Sequence, residues 1–168
     1  MPRTLTPAAQ AAKMIKAQLK AAGIAATVRS SNFSMGDSVS VTLTGDPMPA
    51  TVDAIKAELA KYQYGSFDAM QDIYEYTNHR SDIPQTKYLI IEVHYSDAIK
   101  QEAWDFVRNR WGGWESCPAD YADLTYRHES DAGINAQQKV GAVLSGQWEA
   151  PGTPSFWSSR KPRVRLAA

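Results

Sequence analysis

The spacing of apolar side chains changes within the first 45 residues, and this change limits which folds the chain can adopt. Thr6 and Pro7 form a helix-start signal, after which apolar residues recur at helical spacing as far as Gly23. From Ile24 onward the period becomes two, most clearly in the segment 38–44, where Val and Leu alternate with Ser and Thr. This pattern predicts a helix followed by two strands, each with one buried and one exposed face.

The same two periods recur further along the chain and indicate the order of the remaining elements. Apolar residues at spacings of three and four predict a second helix over 52–62, and 88–95 is rich in β-branched and aromatic residues. Ser96 is a predicted N-cap for a third helix that ends near Trp111, before two glycines. The predicted class is α+β in the order α-β-β-α-β-α, with a mainly antiparallel three-stranded sheet and helices packed on one face.

Three parts are expected along the 168 residues. Residues 1–112 form the α+β domain, and residues 113–150 form an irregular extension packed on it, with a helix candidate over 135–144. Residues 151–168 combine a Pro- and Gly-rich linker with a basic C-terminal tail. A chain of this length can bury a substantial core.

Charge and cysteine content limit the classes of protein to which this chain can belong. Eighteen acidic side chains balance eighteen Lys and Arg, so the global charge indicates no partner, although a local basic patch remains compatible with it. The single Cys117 cannot form an intramolecular disulfide, and residues 1–10 lack the apolar core of a signal peptide. No segment is apolar over the length that a membrane helix needs. We therefore expect a cytoplasmic protein without a membrane partner.

The first of two distinctive stretches joins the predicted hairpin strands. It is expected to be an eight-residue loop from Ser30 to Asp37, and loops of that length are often functional. The candidate binding residues here are Arg29, Ser31, Phe33, Met35 and Asp37. Phe33 and Met35 are suited to an exposed apolar anchor inside a polar rim. Two alternatives stay open: Phe33 folds back over the sheet edge, and Arg29 pairs with a neighbouring carboxylate.

The second stretch is rich in tyrosine and acid. Asp68, Asp72 and Glu75 fall at i, i+4 and i+7, so on a helix their carboxylates would share one side. Such a strip is most often a solvated face, and the alternatives are a cation site and an imitation of nucleic-acid phosphates. Tyr74 and Tyr76 beside these acids favour a binding surface. Asp68, Asp72, Tyr74 and Tyr76 are therefore the candidate binding residues of this stretch.

Together the two stretches resemble a known family. The segment Arg29 to Ser38 and the pattern Tyr62-x-Tyr64-Gly65-x-Phe67-Asp68-x-Met70-x-Asp72 are similar to a large polyvalent-protein-associated domain of phages and conjugative elements, over about residues 1–95. The resemblance implies a mobile-element context and no established reaction. Accessory proteins in that context often block restriction or CRISPR systems by occluding a host protein or protein complex.

Motifs for catalysis, metal binding and nucleotide binding are missing from the sequence. His79, His94 and His128 stand without neighbouring ligands at metal-site spacing, and phosphate-binding glycine patterns are missing. We therefore expect a protein that is not an enzyme and has no catalytic residue, metal or cofactor. The alternative is an accessory protein that binds nucleic acid through a basic cluster. That cluster comprises Arg160, Lys161, Arg163 and Arg165.

Overall fold

The computed structural model describes residues 4–127, 131–147, 155–158 and 160. It contains five α-helices and five strands within these residues. In chain order they are α1 Pro7–Ala21, β1 Ala26–Phe33, β2 Gly36–Leu43, α2 Pro49–Leu59, β3 Ser66–Asp68, β4 Ile73–Glu75, β5 Tyr88–Val93, α3 Asp97–Arg110, α4 Tyr121–Arg127 and α5 Asp131–Leu144. The predicted α+β class is confirmed.

The chain divides into two compact units. Within the described residues, the first unit holds 4–45 and 51–94, and the second holds 46–50 together with the residues from Tyr95 onward. Helix α3, which the sequence prediction grouped with residues 1–112, has its contacts with α4 and α5 and so belongs to the second unit. The predicted helix over 135–144 lies within α5.

The first unit is built on a three-stranded sheet in the order β1-β2-β5. Strands β1 and β2 are antiparallel, whereas β5 runs parallel to β2, so the sheet is mixed. Its core-facing side chains include Val39, Val41 and Leu43, which are fully buried together with Ile15 of α1 and Ile55 of α2. The alternating pattern of β2 therefore places its apolar residues in the core and its hydroxyl residues on the opposite, half-exposed face.

The β1–β2 connection differs from the sequence prediction. Phe33 pairs with Gly36, so the strands continue to a two-residue turn at Ser34 and Met35, and the predicted eight-residue loop is wrong. All residues from Arg29 to Met35 are exposed. Residues 30–32 are strand without a buried face, and this is why they lack the alternation that identifies a strand in a sequence.

The acidic stretch also differs from expectation. Residues 66–75 form a separate two-stranded sheet, with Phe67 opposite Tyr74 and Asp68 opposite Ile73. Because this segment is a hairpin and not a helix, the condition under which Asp68, Asp72 and Glu75 would share one helical side is not met. Strands of three residues are too short to produce a recognisable period, and this explains the missed hairpin.

The second unit has its own core around Trp104, which is fully buried and donates from Nε1 to the Pro118 carbonyl at 3.0 Å. Ser96 caps α3 as predicted, since its hydroxyl accepts from the Ile99 amide at 3.3 Å. The Asp46 carboxylate holds Ser96 in turn, accepting from its amide at 2.7 Å and its hydroxyl at 2.8 Å.

Candidate functional site

A buried polar residue joins the two sequence stretches. Thr86 is fully buried two residues before β5, and its hydroxyl donates to Asp37 Oδ1 at 3.0 Å. The same oxygen accepts from the Lys87 amide at 2.7 Å. On the other side, the Thr86 amide donates to the Tyr62 carbonyl at 2.8 Å, and its carbonyl accepts from the Tyr64 amide at 3.2 Å. Thr86 thus ties the β1–β2 hairpin to the chain that leads into β3.

Side-chain amides hold the segments around the second hairpin. Buried Gln85 donates to the carbonyls of Lys61 and Asn78, both at 2.8 Å, and accepts from the Arg80 amide at 2.7 Å. Gln63 bridges in the same way, accepting from the Leu89 amide at 3.2 Å and donating to the Gly65 carbonyl at 2.8 Å. These contacts satisfy backbone groups that a regular sheet would otherwise pair.

Gly65 allows strand β4 of the second hairpin to lie directly against the chain that precedes β3. A Cβ at this position would lie 2.0 Å from the Glu75 carbonyl oxygen and 2.6 Å from a ring carbon of Tyr74. Only a residue without a side chain fits there. The β4 strand is further fixed by the Tyr74 hydroxyl, which donates to the Lys87 carbonyl at 2.5 Å.

Five aromatic rings form one continuous cluster on the first unit, which we call the aromatic surface: Phe33, Tyr64, Tyr74, Tyr76 and Tyr88. Phe33 stacks on Tyr88 with ring centroids 6.2 Å apart, and Tyr88 meets Tyr74 edge to face at 5.6 Å. Tyr74, Tyr64 and Tyr76 then contact one another at centroid distances of 5.3–5.8 Å. The rings therefore run without interruption from the first hairpin to the second.

A lysine lies over the centre of the aromatic surface. Lys87 Nζ lies 5.0 Å from the centroid of Tyr74 and 5.4 Å from that of Tyr88, within the range of a cation–π interaction. The same ammonium donates to the Met35 carbonyl at 3.1 Å. The turn at the tip of the first hairpin is thereby held beside the rings.

The aromatic surface is exposed at its ends and packed at its centre. Phe33 is 47% exposed and Tyr76 is 65% exposed, while Tyr64, Tyr74 and Tyr88 are partly buried beneath them. Burial raises the pKa of the Tyr64 hydroxyl, and the Asp37 carboxylate raises it further. Burial is also the main cause of the raised pKa of Tyr74. Both shifts further favour the neutral form of the hydroxyl, which a tyrosine already prefers at physiological pH.

The other residues predicted for binding in the first stretch do not belong to the aromatic surface. Met35 is 79% exposed at the hairpin tip, whereas Asp37 faces inward toward Thr86 and is not part of an exposed rim. Arg29 and Ser31 lie exposed on β1, opposite Ser40 and Ser38 of β2. Within the described residues Arg29 forms no ion pair, so the neighbouring carboxylate considered for it is not seen.

In the second stretch, the residues predicted for binding lie on the β3–β4 hairpin. Asp68 accepts from the Met70 amide at 2.8 Å, and Asp72 is exposed in a left-handed conformation with a φ of 55°. Among the residues that the structure describes, no three His, Cys, Asp or Glu side chains are grouped so that they can hold a metal ion.

The basic cluster lies mostly outside the described residues, which include Arg160 but not Lys161, Arg163 or Arg165. Arg160 forms an ion pair with Glu102, and its guanidinium lies 4.7 Å from the Phe156 centroid, all within the second unit. For the described part of the chain, no helix combines the length and apolar character needed to cross a bilayer.

Sequence reasoning missed several residues that build the aromatic surface. Tyr64 belongs to the noted stretch, but its contact with Tyr76 depends on a hairpin that the sequence did not reveal. Lys87 and Thr86 precede a strand and carry no motif, so nothing in the sequence distinguished them. Tyr88 was recognised as a strand residue, and its place beside Phe33 follows from the parallel pairing of β5 with β2.

Comparison with known families agrees with the resemblance seen in the sequence. The model of large polyvalent protein associated domain 29 matches residues 6–103, more than half of the chain. The chain belongs to this family. The match covers both hairpins of the polyvalent-protein-associated domain and continues into α3, beyond the limit of about residue 95 set by the sequence resemblance. Domains of this kind are associated with polyvalent proteins of phages and mobile elements. Neither a curated protein nor a solved structure matches the chain significantly.

Proposed function

We propose that the protein is a non-enzymatic binding protein of a phage or mobile element, and that it inhibits a host defence complex of the CRISPR or restriction type by occlusion. The single observation that supports this proposal is the aromatic surface, in which two stretches distant in sequence meet in one cluster whose two ends are exposed. Aromatic side chains at the centre of an interface contribute a large share of binding energy.

The scaffold beneath the aromatic surface supports the same function. Its rings are held by neighbouring rings, and its two hairpins are joined by hydrogen bonds to Asp37, Thr86 and Gln85. A surface ordered before it meets its partner loses little conformational entropy on binding, so more of the contact energy remains as affinity. The mobile-element association of the family makes a host protein the partner that we propose.

The proposal is tested by capture and by phage growth. The tagged protein is used to capture partners from a host lysate, and it is expressed in hosts that carry one defined restriction or CRISPR system. The test variant combines Phe33→Ala, Met35→Ala and Tyr76→Ala, and the control combines Leu5→Ala and Met14→Ala, which are also exposed apolar residues. Tyr74 is changed only to Phe, because its ring packs beneath the surface.

We expect the test variant to lose both capture and protection of the phage, while the control keeps both. Each truncated ring should weaken the affinity about 30-fold if it contributes about 2 kcal/mol. Unchanged capture by a test variant that is folded like the wild type would contradict the role of the aromatic surface.

The second candidate is a nucleic-acid-binding accessory that uses the basic cluster. It rests on the four cationic residues of the sequence that form this cluster, Arg160, Lys161, Arg163 and Arg165. Binding to DNA or RNA that weakens steeply with salt and is lost when residues 161–168 are removed would support it. A mobility-shift experiment at low salt that shows no complex would exclude it.

A further inference from the structure

The β3–β4 hairpin exposes three large apolar side chains. Phe67 and Ile73 are 52% and 53% exposed, and Met70 at the tip is 95% exposed. Apolar side chains that are exposed together, rather than scattered singly, are typical of interaction sites. The hairpin therefore has the character of a docking element in addition to its support of Tyr74 and Tyr76.

Three contacts hold this hairpin in place before any partner binds. Its base lies against Gly65, where the Glu75 carbonyl leaves no room for a side chain. Its turn is fixed by the bond from the Met70 amide to the Asp68 carboxylate at 2.8 Å, and β4 is tied to Lys87 through the Tyr74 hydroxyl. The exposed Met70 is thus presented on an ordered backbone.

The charge of the β3–β4 hairpin indicates which kind of partner surface would complement it. Residues 62–79 contain Asp68, Asp72 and Glu75 but no Lys or Arg. Within the described residues, none of these three carboxylates forms an ion pair. The strand register places Asp68 opposite Ile73 and diagonal to Glu75, so two carboxylates and an exposed apolar side chain share one face. Diagonal neighbours in a hairpin are roughly 7–8 Å apart.

From these observations we propose that the hairpin docks into a basic protein surface, in which Lys and Arg side chains border a shallow apolar cleft. Met70 and Ile73 enter the cleft, and the carboxylates of Asp68 and Glu75 on the same face as Ile73, with that of Asp72 in the turn, meet the surrounding cations. This inference rests on the proposed function and names the chemistry of its partner. A surface of this composition is common where a protein holds nucleic acid, which the hairpin would then displace.

The test uses a defined probe, so that it does not depend on the capture of a host protein. The probe is a peptide of alternating Lys and Leu, and a Glu and Leu peptide of the same length is its charge-reversed counterpart. Binding to the full-length protein is followed by backbone amide NMR shifts at low and high salt. The hairpin variant combines Asp68→Asn, Asp72→Asn and Glu75→Gln, changes that keep the shape of each side chain and suit the Asp68 turn and the Asp72 backbone.

The control variant neutralises three exposed acids elsewhere, by Asp53→Asn, Glu92→Gln and Asp105→Asn. We expect the basic peptide to shift residues 66–76, to bind the hairpin variant about tenfold more weakly, and to bind the control as it binds the wild type. The acidic peptide should leave these residues unshifted. Equal binding to the hairpin variant and the wild type, or shifts confined to other residues, would overturn the inference. Since the capture experiment tests the aromatic surface separately, failure of one proposal is distinguishable from failure of the other.

Discussion

The carboxylate of Asp37 should be essential to the arrangement of the aromatic surface. Its Oδ1 accepts from the fully buried Thr86 hydroxyl at 3.0 Å and from the Lys87 amide at 2.7 Å. Hydrogen bonds to a charged group contribute about 1.5–3 kcal/mol each, and partial exposure of Asp37 places the pair near the lower end. Asp37→Ala should therefore lower the free energy of unfolding by about 2–4 kcal/mol.

Urea denaturation followed by far-UV circular dichroism measures this loss, which corresponds to a melting temperature roughly 5–15 °C lower. Asp37→Asn keeps one acceptor oxygen and should fall between Asp37→Ala and the wild type. The matched control is Asp53→Ala on α2, an exposed aspartate, whose free energy of unfolding should stay within about 0.5 kcal/mol of the wild type. If Asp37→Ala is as stable as this control, the carboxylate does not join the two hairpins.

Three further perturbations test other parts of the structure. Gly65→Ala should displace β4, because the added Cβ would meet the Glu75 carbonyl. Its control is Gly141→Ala in α5, where the added Cβ has open space and the change should be neutral or stabilising by up to about 1 kcal/mol. Amide NMR spectra of both variants show which substitution moves the hairpin. Burial raises the pKa of Tyr95 to about 12, so the neutral form stabilises the fold below pH 10 and this contribution is lost between pH 10 and 12. Tyr95→Phe should flatten that part of the stability profile, and an unchanged slope would argue against burial as its cause. Trp104→Ala should lower the free energy of unfolding by about 3–5 kcal/mol, and a loss below 1 kcal/mol in urea titrations would show that Trp104 is not central to the second core.

Elements with a clear apolar period were predictable from the sequence. Val39, Val41 and Leu43 alternate with hydroxyl residues because one face of β2 is buried and the other is half-exposed, and α1 begins at Pro7 with Thr6 as its cap. The direction of β5 was not predictable in the same way. A strand has the same alternation whether it pairs parallel or antiparallel, so the sequence of β5 does not specify its neighbour.

The candidate site was predictable only as two separate stretches. The sequence identified Phe33, Met35, Tyr74 and Tyr76 as candidates, and the structure places them on or beside one surface. Their convergence depends on Thr86, an uncharged residue outside any motif, and on a hairpin whose strands are three residues long. Interactions between residues fifty positions apart leave no local pattern that a single sequence can reveal.

The separation between supporting and displayed residues has a consequence for how this domain can evolve. Gln85 and Thr86 are buried and hold the backbone of both hairpins, whereas Met35 and Met70 at the two tips contact little of their own fold. Substitutions at the tips would therefore change the proposed binding surface while leaving the foldability of the domain intact. Under the proposed function, a mobile element that moves between hosts can retarget such a domain by changing a few tip codons and conserving the supports.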